Sequence, residues 1–138
     1  MSEADLGRLL GAIDARLQPG TYVFCALAPG ERPQDAGARL VFEEAEGTTV
    51  VVSVGEAQLR GWRATFPCEW VVLGAPSDLG AVGFLAAVAA ELAQAGIALN
   101  AVSAVHHDHL FVPEGRGAEA VAILANLERR HRHDGPRP

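Results

Sequence analysis

Three stretches of the chain combine residue types and spacings that could do chemistry. The first is Ser77-Asp78-Leu79-Gly80-Ala81-Val82-Gly83, directly ahead of an apolar helical run. A helix start leaves backbone N–H groups unpaired and carries partial positive charge, which suits a carboxylate. Gly80, Ala81 and Gly83 present almost no side chain, so a ligand can approach the backbone there, and a branched residue at Gly83 is expected to block it. Close packing of helix on sheet would use the same small residues. The second stretch is His106-His107-Asp108-His109. Period-2 geometry puts His107 and His109 on one face and His106 and Asp108 on the other. Two imidazoles at that spacing could start a metal site, but no third ligand is apparent, so no metal is assigned and the cluster reads as a polar hairpin turn or as groups that hydrogen-bond a ligand. The third is Ser103, His107 and Asp108, the residue types of a hydrolytic triad. Crowded within six residues of one hairpin, they cannot easily line up as nucleophile, base and orienter. No Gly-x-Ser-x-Gly, His-Glu-x-x-His or phosphate-binding glycine loop is present. No catalytic residue and no cofactor is therefore assigned.

These groups need elements to hold them. Ser2 and Asp5 form an approximate capping box for a helix whose Leu6, Leu9, Leu10, Ile13 and Leu17 recur at helical spacing until Pro19-Gly20. Thr21–Leu27 reads as a strand apolar on both faces, followed by a Pro- and Gly-rich loop from Pro29 to Ala38. Leu40–Glu44 and Thr48–Val52 form a hairpin, and Ser53 with Glu56 boxes a short helix ending at Gly61. Trp62–Phe66 is a candidate fourth strand. A strand at Trp70–Leu73 follows, then a helix from the caps at Ser77-Asp78 to Ala95, closed by Gly96. Ile97–His106 and His109–Val112 read as strands, Ala118–Arg130 as the last helix, and residues 131–138 as a disordered tail. Tyr22, Phe24, Trp62, Phe66 and Trp70 lie on or beside strands and suit core or interface packing, with a ligand-pocket wall as the alternative.

Composition narrows the function classes. With 138 residues, 49% of them hydrophobic and 20% charged, the chain has the makeup of an ordinary globular protein. Net charge −6 argues against nucleic acid as partner, since the one basic cluster, Arg129 to His133, sits near the end. The longest apolar region, Leu79 to Leu99, is broken by glycines and polar residues and lacks basic flanks, so no membrane span is expected. No signal peptide is visible. Cys25 and Cys68 read as buried free thiols, which points to the cytoplasm.

The two halves look like a degenerate repeat. Phe24-Cys25-Ala26-Leu27-Ala28-Pro29 recurs as Val71-Val72-Leu73-Gly74-Ala75-Pro76, and Val51-Val52-Ser53 corresponds to Phe111-Val112-Pro113. The second offset is longer by about one helix, which the first half replaces with a loop. Strand, crossover, hairpin and helix in this order give a ferredoxin-like arrangement. Gly83 through Ile97, with Phe84, Val88 and Leu92 on the core face and Ala95-Gly96-Ile97 leading into a strand, resembles the ACT domain. The runs Ala81-Val82-Gly83, Asn100 and His107-Asp108-His109-Leu110-Phe111-Val112 look closer still to small bacterial tandem ACT-like proteins. Many ACT domains place Asn directly after the Gly-Ile pair, where this chain has Ala98 and, two positions on, Asn100. The resemblance implies an α/β (α+β) fold of tandem ferredoxin-like βαββα repeats, an antiparallel sheet with helices on one face. Residues 1–66 and 67–130 would be the two halves. It implies an amino acid or similar small molecule as ligand, with Ser77, Asp78, Leu79, Gly80, Ala81, Val82, Gly83, Asn100, Ser103 and His107 as the binding set. A homodimeric regulatory sensor without enzymatic activity is the expected function. The alternatives are a protein-interaction module without ligand and an enzyme built on the His106–His109 cluster.

Overall fold

The computed structural model describes residues 2–133, without the side chains of Glu3 and His133. In chain order the elements are α1 (Glu3–Leu10), β1 (Ala15–Leu17), β2 (Tyr22–Leu27), β3 (Leu40–Glu44), β4 (Gly47–Ser53), α2 (Val54–Arg60), β5 (Ala64–Leu73), α3 (Phe84–Gln94), β6 (Asn100–Ser103), β7 (Asp108–Pro113) and α4 (Gly117–His133). All seven strands join one antiparallel sheet in the order β3-β4-β2-β5-β7-β6, with β1 also paired to β5. The helices share one face. Val71, Leu73, Leu110 and Val112 pack there against Leu10 of α1, Phe84, Val88 and Leu92 of α3, and Leu124 and Leu127 of α4. At the other end Val23, Cys25, Val50 and Val52 pack against Ala57 of α2. Each large apolar side chain so buried stabilises the fold by roughly 1.5–3 kcal/mol. Both cysteines are free and buried, as their apolar surroundings predict.

The repeat is visible in the pairing. β2 lies between β4 and the first residues of β5, while the end of β5 lies between β7 and β1. The 47-residue offset thus relates two central strands, β2 and the latter part of β5. Two segments expected apart, Trp62–Phe66 and Trp70–Leu73, are largely one strand. A bulge joins them, because Tyr22 pairs with Cys68 but Phe24 with Thr65, leaving one extra residue on β5. Phe66 takes φ 52° ahead of Pro67, which bends the strand there.

Four local expectations need correction. The N-terminal helix stops at Gly11 rather than continuing to Leu17, since Asp14 adopts φ 50° and Ala15–Leu17 find a partner strand in β5. Ile13 is still fully buried, so core burial and not helical repetition explains the apolar spacing. These first residues, α1 and β1, pack on the second half. The third helix begins at Phe84, not near Ser77, because Gly83 at φ 93° turns the chain into it. The strand expected over Ile97–His106 is only Asn100–Ser103, as the chain turns with the N–H of Ala104 donating to the carbonyl of His107. The last helix runs to His133, three residues into the expected tail, whose remainder lies outside the described residues. No helix among the described residues is long and apolar enough to cross a membrane.

Candidate functional site

Period-2 alternation along β7 turns Asp108 to the helix-covered face, the same face as Leu110 and Val112. It is the buried charged residue of the described chain, 5% exposed. A buried carboxylate needs hydrogen bonds. Ser77 Oγ, in the loop after β5, donates to Asp108 Oδ2 at 2.9 Å, and Ser103 Oγ, opposite on β6, donates to Oδ1. No cation of the described residues pairs with it. The two hydroxyls and the carboxylate line a small cavity of about 40 Å³ with Ala81 and Phe84, at the start of α3.

That helix start is open. Ser2 and Asp5 cap α1 in a reciprocal box, and Ser53 Oγ accepts the N–H of Glu56 at the start of α2. The second half of that expected α2 box is replaced by an ion pair, Arg60 Nε to Glu56 Oε1 at 2.9 Å. At α4, Glu69 Oε1 accepts the N–H groups of Gly115 and Gly117. The cap of α3 is Gly83, with no side-chain bond. Asp78, expected as a cap, instead accepts the N–H of Gly80 at 2.8 Å in a local turn. Beside this turn a groove of about 600 Å³ opens between α1 and the loop, lined by Arg8, Leu9, Pro76, Asp78 and Gly80. Leu79 and Val82 stand 65% and 70% exposed on the loop.

The structure gathers Ser77, Asp78, Leu79, Ala81 and Ser103 around one cavity, with Gly80 in the adjoining groove. Gly83 forms the turn under α1, where an added Cβ would lie 3.2 Å from Leu6 Cδ2. The left-handed backbone there, φ 93°, favours glycine by itself. Asn100 pairs with Phe111 and shares the opposite, helix-free face, away from Ser103. His107 is an exposed turn residue. His109 also lies on the helix-free face, with Nδ1 accepting from Trp70 Nε1 at 3.0 Å. Burial lowers the His109 pKa and His107 adds to that, with Asp108 opposing. No group of three or more His, Cys, Asp or Glu that could hold a metal occurs among the described residues. Asp108 was legible only as a hairpin polar group or triad member. The signal for its burial was its parity with Leu110 and Val112.

The aromatic residues divide by face. Trp62 packs near α2 and donates Nε1–H to Glu31 at 3.0 Å. Tyr22, Phe24, Phe66 and Trp70 join Phe111 on the helix-free face, with Tyr22–Trp70 and Phe24–Phe111 rings meeting edge to face at 5.7 Å.

Comparison with known proteins agrees with this architecture. A family model described as an ACT domain matches residues 1–69, and a second ACT-domain model matches residues 66–126. A crystal structure of a Vibrio cholerae protein of unknown function, described as a possible transport protein, is 31% identical over 90% of this chain and 96% of its own, with TM-score 0.82. An Agrobacterium tumefaciens protein structure is 21% identical over 84% of this chain and 89% of its own, with TM-score 0.69. The ligand-free regulatory subunit of aspartate kinase from Thermus thermophilus shares the fold, with TM-score 0.64, at 10% identity over 84% of this chain and 97% of its own. No curated protein matches the chain by sequence. Tandem family matches over both halves, on a ferredoxin-like sheet, show that the chain belongs to the ACT domain family, with two ACT domains in tandem.

Proposed function

We propose that this protein is a regulatory sensor that binds a free amino acid at the start of α3, without turning it over. The observation that carries the reading is the buried Asp108 carboxylate, held by Ser77 and Ser103 and lacking a cation, beside an uncapped helix start. An α-ammonium group complements the carboxylate by a charge-assisted hydrogen bond. The ligand carboxylate complements the free N–H groups of α3. The 40 Å³ cavity is smaller than an amino acid, so binding shifts the Asp78–Val82 turn, and the ligand side chain extends toward the groove beside α1. Residues 1–66 and 67–130 act as the two halves of the sensor, which works in the cytoplasm. A second copy pairs along edge strand β3, where Phe42 stands 62% exposed.

A thermal-shift screen of the twenty amino acids tests the reading. At about a hundred times its dissociation constant, the ligand adds roughly 2.7 kcal/mol, a shift of several degrees. Analogues lacking either the carboxylate or the amino group should fail. Asp108→Asn, nearly isosteric, should fold and lose the shift. The site assignment is wrong if no amino acid moves the parent, or if Asp108→Asn keeps the full response.

A further inference from the structure

The helix-free face of the sheet is concave. Its two edge strands bend toward each other, so that Leu40 of β3 and Val102 of β6 line one cavity of about 290 Å³. The floor is Trp70 and Phe111, with His109 beside them. Arg39, held at the start of β3 by its backbone N–H on the Val51 carbonyl at 2.7 Å, places its guanidinium carbon 5.2 Å from the centre of a Trp70 ring. No carboxylate lines this cavity, and Arg39 forms no ion pair among the described residues.

We infer that this cavity is a second binding site, distinct from the Asp108 site, for a small aromatic carboxylate. Arg39 supplies the cation and a planar fork that matches a carboxylate. Trp70 and Phe111 offer ring faces and edges to a flat apolar body. The hydrogen bond from Trp70 fixes His109 as an acceptor at Nδ1, so the neutral ring carries its proton on Nε2 and keeps one further donor for an anion. Retention of the neutral form by burial agrees with that tautomer. The volume suits one or two fused rings with a single acidic group, near the lower end of ligand pockets. Both halves contribute, Arg39 and Leu40 from the first and Trp70, Val102, His109 and Phe111 from the second, so an occupant would bridge the edges of the sheet.

The test is calorimetric titration of the intact chain with benzoate, 2-naphthoate, benzamide and acetate. In parallel, indole fluorescence is read in a Trp62→Phe background, where Trp70 is the remaining tryptophan. One of the two aromatic acids should bind saturably, one per chain, and change Trp70 emission. Benzamide and acetate should bind about tenfold more weakly or worse. Arg39→Gln, at an exposed side chain and checked for folding by circular dichroism, should weaken binding about tenfold, and Arg39→Lys should recover part of it. Asp108→Asn should retain saturable binding of the aromatic acid here, which separates its outcome from that of the amino-acid site. The inference is overturned if neither aromatic acid saturates below about 10 mM. It is equally overturned if benzamide binds as well as benzoate, if Arg39→Gln binds like the parent, or if Asp108→Asn abolishes the signal.

Discussion

Glu69 Oε1 lies 2.8 Å from the backbone nitrogen of Gly117, so a side chain in the middle of β5 caps the start of α4, 48 residues further along the chain. The same oxygen accepts the N–H of Gly115 at 2.9 Å. An anion there also meets the positive end of the helix. Glu69→Ala should cost about 1–2 kcal/mol and lower the melting midpoint by several degrees. Urea denaturation of parent and variant measures it; an unchanged midpoint would mean that the cap contributes nothing.

Two glycines should respond in opposite directions. Gly47 opens β4 at φ 148°, and an added Cβ would fall 2.2 Å from the Leu27 carbonyl oxygen, a clash with backbone that cannot swing aside. Gly47→Ala should therefore destabilise by roughly 2–4 kcal/mol. Gly55, inside α2, meets nothing within 4 Å. Gly55→Ala should stabilise by about 0.4–1 kcal/mol, because alanine fits this first-turn backbone and lowers the entropy of the unfolded chain. Thermal melts of both variants check the signs.

Cys68 sits against the helix-free aromatic cluster with its thiol donating to the Tyr22 carbonyl, and burial pushes its pKa up to about 11. Cys25 is raised by the same cause. At neutral pH neither should react with a thiol reagent until the chain opens, since the thiolate is the nucleophile. Labelling in native buffer should be slow and should accelerate through the denaturant transition. Rapid native labelling would refute their burial.

Stability should also depend on pH through His109. Its folded pKa lies below the ordinary value of 6.5, so the unfolded chain takes up a proton that the folded chain resists. The contribution is present above the unfolded pKa and is lost as pH falls through the folded value. Around the ring stand the Arg39 guanidinium over Trp70, His107 and the opposing Asp108. His109→Gln should flatten the fall in denaturation midpoint between about pH 7 and pH 5 relative to the parent. Asp5 and Glu119, exposed carboxyls whose pKa values are lowered, lose their ionised form only at lower pH. A parent and variant with the same slope in that window would refute the assignment.

By itself the sequence determined what nearest neighbours along the chain decide. The strand at Tyr22–Leu27, the hairpin turn after Glu44, Ser53 as a cap and the Gly96 stop each concern residues a few positions apart, and the structure agrees with all of them. The repeat order and the glycine-to-isoleucine spacing carried the family and hence the fold class. Tertiary structure decided where the same apolar pattern admits two outcomes. Ile13 and Leu17 fit a helix in spacing, yet β5 offers Ala15–Leu17 unpaired backbone groups, and pairing there ends the helical reading. Ser77, Ser103 and Asp108 come from a loop and two strands, and only the β6–β7 register and the turn before α3 bring their oxygens together. Arg39 and Trp70 are 31 positions apart in sequence and three strands apart in the sheet. Their contact exists because the sheet curls, a property of summed strand twist and bulges that no local pattern encodes.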